Sequence, residues 1–116
     1  MSNYTNFAFI DGDSIVVLER CGHPGAPVFG PAADAIRDSG AARPSADIAS
    51  AVFAMMRDDT VSEWSLADRI RRNDRKVLVI DIRNDEVTLY DAVEGNLKDK
   101  IFSMNITEFV NKYGSL

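Results

Sequence analysis

The stretch FAFIDGDSIVVLE (residues 7–19) decides how the chain begins to fold. Two apolar runs, residues 7–10 and 15–18, flank Asp11-Gly12-Asp13-Ser14. Two hairpin registers are available, and side-chain pairing separates them. With Asp11-Gly12 as the loop, Ile10 would face Asp13 and Phe9 would face Ser14, mixing apolar with polar. With Gly12-Asp13 as the loop, Asp11 faces Ser14, Ile10 faces Ile15, Phe9 faces Val16 and Phe7 faces Leu18. Every apolar residue then meets an apolar partner, and glycine stands where a type II′ turn requires it. The second register is the expected one. Both faces of these strands are apolar, which places the hairpin near the middle of a covered sheet.

A second hairpin reads from KVLVIDIRNDEVTLYD (residues 76–91). With Asn84-Asp85 as its loop, Ile82 faces Val87, Ile80 faces Leu89 and Asp81 faces Thr88. One face is apolar and the other mixed. A polar turn region follows over residues 92–100, then a short strand over 101–104. At the C-terminus Asn105 is a helix cap, Glu108 sits at capping-box spacing, and Met104 and Phe109 have hydrophobic-staple spacing. Gly114 ends that helix.

Between the hairpins the pattern predicts three helices. Pro31 suits the start of the first and Gly40 its end. Ser45 caps a second over residues 46–57, apolar around much of its circumference and therefore buried. Thr60-Val61-Ser62-Glu63 has capping-box spacing for a third, over about 61–72. The order ββ-ααα-βββ-α implies one α+β domain over residues 1–116, a mainly antiparallel sheet with helices packed on it.

The chain has 116 residues, 46% of them apolar, and a formal net charge of −5. That balance is globular rather than disordered. One cysteine, Cys21, excludes an internal disulfide and points to a reducing compartment. The first residues have neither a basic start nor a long apolar core, so the expectation is a cytoplasmic protein with no membrane role. The sequons at Asn3 and Asn105 are then accidental. Charge is unevenly placed: residues 1–68 carry ten acids against four bases, residues 69–83 six bases against two acids, and residues 84–116 six acids against three bases.

Several groups invite a chemical reading. A strand ending in Asp-x-Asp is similar to the first motif of haloacid-dehalogenase-like phosphatases, and FIDGD resembles the opening strand of NYN/PIN-like nucleases. Those resemblances imply a small metal-dependent phosphohydrolase or nuclease in which Asp11 attacks phosphate or binds a metal and Asp13 supports it. Both folds follow the motif with a helix, whereas the β-branched run Ile15-Val16-Val17 follows here, so the turn reading is preferred. DGDS also lacks the later ligands of a calcium loop. Cys21-Gly22-His23 brings thiol and imidazole together, but nucleophile and base normally come from distant segments, and no further Cys or His completes a zinc site. Asp81, inside a strand, is expected to face water opposite Thr88. Arg69, Arg71, Arg72, Arg75 and Lys76 form a basic contact patch. Cations at a helix end need no ligand, however, and no stacking platform accompanies them. No metal and no cofactor are expected.

What remains is recognition of another protein. Acids recur at strand ends and in loops: Asp11, Asp13, Asp58, Asp59, Glu63, Asp85, Glu86, Asp91 and Glu94. Such groups suit a basic surface on a nucleic-acid-handling partner. In size and charge the chain resembles small phage-encoded inhibitors, anti-CRISPR proteins among them, and bacterial immunity proteins. That likeness implies a non-enzymatic inhibitor that blocks its partner; a subunit of an oligomeric assembly is the other non-enzymatic expectation. The Gly- and Pro-rich loop at residues 24–31 offers Val28 and Phe29 as apolar anchors, or folds them back on the core.

Overall fold

The fold is α+β, a mixed sheet with helices on it. A computed structural model of the chain describes residues 5–21, 29–39, 63–67, 69–70 and 76–114. Their elements run β1 (Thr5–Asp11), β2 (Ser14–Cys21), α1 (Phe29–Ser39), β3 (Glu63–Ala67), β4 (Lys76–Asp81), β5 (Glu86–Val93), β6 (Asn96–Met104) and α2 (Ile106–Tyr113). The strands form one sheet in the order β3-β2-β1-β4-β5-β6. Four of its neighbour pairs are antiparallel, and the central pair, β1 with β4, is parallel.

The first hairpin has the register that apolar pairing demands, with Phe7 opposite Leu18, Phe9 opposite Val16 and Ile10 opposite Ile15. Gly12 takes φ 62 and is the only one of the two loop residues with positive φ, as a type II′ turn has it. The second hairpin differs from expectation. Asp81 lies opposite Glu86, Ile80 opposite Val87 and Val79 opposite Thr88, so each partner is shifted by two residues. A shift of two preserves the faces but moves Ile82 into a four-residue turn. The cause is polar: the Asp81 carboxylate accepts from Asn84 N at 3.1 Å and from Asn84 Nδ2 at 2.9 Å, closing the turn early.

Two further expectations are corrected. The expected third helix is replaced, over residues 63–67, by β3, which pairs with the outer edge of β2 from Val17 opposite Ala67 to Cys21 opposite Glu63. Backbone pairing across that edge outweighs a local capping signal, since a capping box stabilises only a helix that also packs. The supposed polar turn region over 92–100 is a tight hairpin. Glu94 (φ 51) and Gly95 (φ 83) form its two-residue loop, and β6 starts at Asn96. β6 lies at a sheet edge with mostly exposed side chains, so its Lys-Asp-Lys run disguised a strand. Its register against β5 shifts twice, between Leu89 and Tyr90 and between Tyr90 and Ala92. The helix expected over residues 46–57 lies outside the described residues.

Among the described residues, α1 and α2 serve one face of the sheet. Phe7, Phe9, Leu18, Leu78, Ile80, Val87 and Leu89 cluster there with Ala32, Ala33 and Ile36 of α1 and with Ile106 and Phe109 of α2. Alternation along the strands sends Ala8, Val17, Val77, Val79 and Ala92 to the opposite face, where they too are buried. Phe29 folds back on the core: its ring meets Phe102 edge-on at 5.5 Å and tilts against Tyr113 at 5.1 Å. The α2 start is as the sequence predicts. Glu108 N donates to Asn105 Oδ1 at 2.8 Å, and Asn105 N donates to Glu108 Oε1 at 3.3 Å.

Candidate functional site: an acidic end of the sheet

The parallel pairing of β1 and β4 is what builds the site. Parallel neighbours end on the same side, so the β1–β2 turn and the β4–β5 turn lie next to each other. The contact is direct, with Ile82 N donating to Ile10 O at 2.9 Å beyond the last paired residues. Asp11 and Asp13 come from the first turn, and Asp81, Asp85 and Glu86 from the second. Arg83 is the single base in either turn.

Each acid of the second turn has a structural duty. Asp81 holds Asn84. Asp85 adopts φ 55, the left-handed conformation that short polar side chains tolerate, and its Oδ1 accepts from Ile106 N at 3.2 Å. That bond joins the turn to the first turn of α2, where backbone N–H groups lack helical partners and favour negative charge. Glu86 Oε1 accepts from the buried Thr88 hydroxyl at 3.1 Å. Thr88 has one proton to give, so Ser103 Oγ, 2.9 Å away, donates to it in return. The Thr88–Ser103 bond thereby ties β5 to β6 through side chains.

In the first turn, Asp11 Oδ1 lies 3.4 Å from Arg83 Nε. A Cβ placed on Gly12 would fall 2.5 Å from Arg83 Nη1, so the guanidinium rests where only glycine leaves room. Asp13 and Glu86 are exposed at the rim. The result is an acidic end of the sheet with one cation, Arg83, set against Asp11. Among the described residues no group of three or more His, Cys, Asp or Glu stands close enough to hold a metal ion.

The expected acidic set is therefore divided. Asp11, Asp13, Asp85 and Glu86 converge, and Asp81 joins them, half-exposed and opposite Glu86 rather than the expected Thr88. Asp91 and Glu94 lie at the opposite end of the sheet, where Lys76 Nζ donates to Asp91 Oδ1 at 3.3 Å. Glu63 begins β3 opposite Cys21, also at that far end. Asp58 and Asp59 lie outside the described residues, as do Arg71, Arg72, Arg75, Gly22 and His23. Arg69 is exposed near the end of β3, and Lys76, in its pair with Asp91, opens β4. Among the described residues no helix is long and apolar enough to cross a membrane.

Sequence reading missed Asp81 and Arg83 as members of this end. Asp-x-x-Asn, with a carboxylate three residues before an amide, is the turn signal that would have flagged the first. Nothing local signals the Arg83–Asp11 pair, which depends on the parallel pairing. No family model, no curated protein and no solved structure matches the chain.

Proposed function

We propose that this is a non-enzymatic protein-binding module, an inhibitor whose acidic sheet end covers a basic surface of a nucleic-acid-handling partner in the cytoplasm. The observation that supports the reading is the convergence of Asp11, Asp13, Asp81, Asp85 and Glu86 on two adjoining turns that hold one base. Carboxylates fixed on paired strand ends need little reordering on docking, which lowers the entropic cost of binding. An excess of negative charge at one end of the sheet speeds encounter with a basic surface and sets orientation, while area burial around it supplies affinity. Blocking is then steric and electrostatic and asks for no metal or cofactor.

The test begins with capture from nuclease-treated lysate of the native host, followed by binding kinetics with the purified partner over a salt series. The reading expects a nuclease-resistant partner whose association rate falls steeply between low and physiological ionic strength, as screening of exposed charge requires. A partner recovered only with nucleic acid present, or an association rate indifferent to salt, would contradict it.

A further inference from the structure

Asp11-Gly12 is chemically unusual as well as structurally central. An aspartyl-glycyl bond is prone to cyclisation because glycine leaves its own nitrogen unshielded. Gly12 N attacks Asp11 Cγ, a carboxyl oxygen leaves as water with the amide proton and a second proton from solvent, and a five-membered succinimide forms. Water then opens the ring at either carbonyl, returning aspartate or an isoaspartyl link through the side-chain carboxyl. No oxidant or co-reactant is needed, and the mass is unchanged.

We propose that Asp11-Gly12 is a latent isoaspartate site that Arg83 keeps closed in the folded protein. Ring closure requires the Asp11 carboxyl to swing onto Gly12 N, and three features oppose it. Asp11 is held extended as the last residue of β1, opposite Ser14. Its Oδ1 is 3.4 Å from Arg83 Nε. The guanidinium also lies over Gly12, filling the space beside its α-carbon. The bond therefore reacts when the turn opens locally, and Arg83 sets how often it does. An isoaspartyl link adds a methylene to the main chain at the last residue of β1, where the two-residue loop begins. The pairing of Ile10 with Ile15 then loses its geometry, and the modification marks protein whose two turns have come apart. This inference stands whether or not the acidic end binds a partner.

The test incubates the intact protein, Arg83→Ala, Lys76→Ala and the free peptide of residues 7–19 at neutral pH. Isoaspartate is read by peptide mapping and by enzymatic carboxyl methylation, and folding is checked by circular dichroism. Loss of an exposed pair opens the turn about threefold more often, so Arg83→Ala should accumulate isoaspartate about threefold faster than the intact protein. Lys76→Ala breaks an exposed pair at the far end of the sheet and leaves Arg83 and both turns in place, and should stay near the intact protein's rate. The free peptide should be fastest. Equal rates for Arg83→Ala and intact protein would overturn the proposal. So would equal acceleration by Lys76→Ala, or an intact protein as reactive as the peptide.

Discussion

Arg83 joins the two turns of the acidic end: its Nε lies 3.4 Å from Asp11 Oδ1, and its guanidinium covers the α-carbon of Gly12. The pair is exposed, Arg83 by 67% and Asp11 by 33%, so its own contribution is below about 1 kcal/mol. Gly12→Ala does more damage than Arg83→Ala, because it adds left-handed strain of about 1–2 kcal/mol to the loss of the guanidinium's seat. Urea unfolding should rank Gly12→Ala about 2 kcal/mol below the intact protein, with an unchanged m-value. Arg83→Ala as damaging as Gly12→Ala would show that the pair, not the turn, holds this end together.

Asp85 combines a left-handed backbone with a bond to the start of α2. Asp85→Ala loses both and should cost about 1–2 kcal/mol, as a lost cap does. Asp85→Asn keeps an acceptor oxygen and tolerates the conformation, so it should cost less than half as much. Hydrogen exchange at the Ile106 amide is the direct readout. It should quicken in Asp85→Ala and stay protected in Asp85→Asn.

The Glu94-Gly95 loop carries two positive φ values, and glutamate is a poor occupant of the first. Glu94→Asn should stabilise the β5–β6 hairpin by about 0.5–1 kcal/mol, because asparagine enters the left-handed region more readily. A thermal midpoint raised by a few degrees would agree; a lowered one would show that the loop is not of this type.

Phe109 is fully buried and touches Phe29 and Tyr113 as well as the sheet cluster. Phe109→Ala should cost about 3–5 kcal/mol, a large share of a small domain's stability. Retention of near-native stability would mean that α2 is not part of the core.

The sequence was most legible where side chains choose their own partners. The β1–β2 register follows from apolar pairing alone, and the α2 start from Asn105 and Glu108. It was half legible at residues 76–91, where the alternation of Ile80, Ile82, Val87 and Leu89 fixes faces but leaves pairing ambiguous by two. There the Asp81–Asn84 bonds decide, and they are a tertiary detail of the turn. Residues 63–67 misled, because a capping box speaks only of helix ends while strand β3 answers an open edge on β2. The acidic end was visible as a list of carboxylates. Its membership was not, since Asp91 and Glu94 separate from Asp11 and Asp13 only once β1 and β4 run parallel.

The most direct test of the account reverses charge at one end of the sheet and then at the other. Asp13 and Glu86 are exposed at the acidic end and Glu94 is exposed at the far end. Glu86→Lys gives up the bond from the Thr88 hydroxyl, which can turn to Ser103 Oγ instead, and circular dichroism checks that each variant keeps the fold. Affinity for the captured partner should fall at least about tenfold for the Asp13→Lys, Glu86→Lys double variant, about 1.4 kcal/mol, mostly through association rate. Glu94→Lys should bind as the intact protein does. If the two forms bind alike, or if Glu94→Lys is the weaker, the acidic end is not the docking surface and the central claim fails.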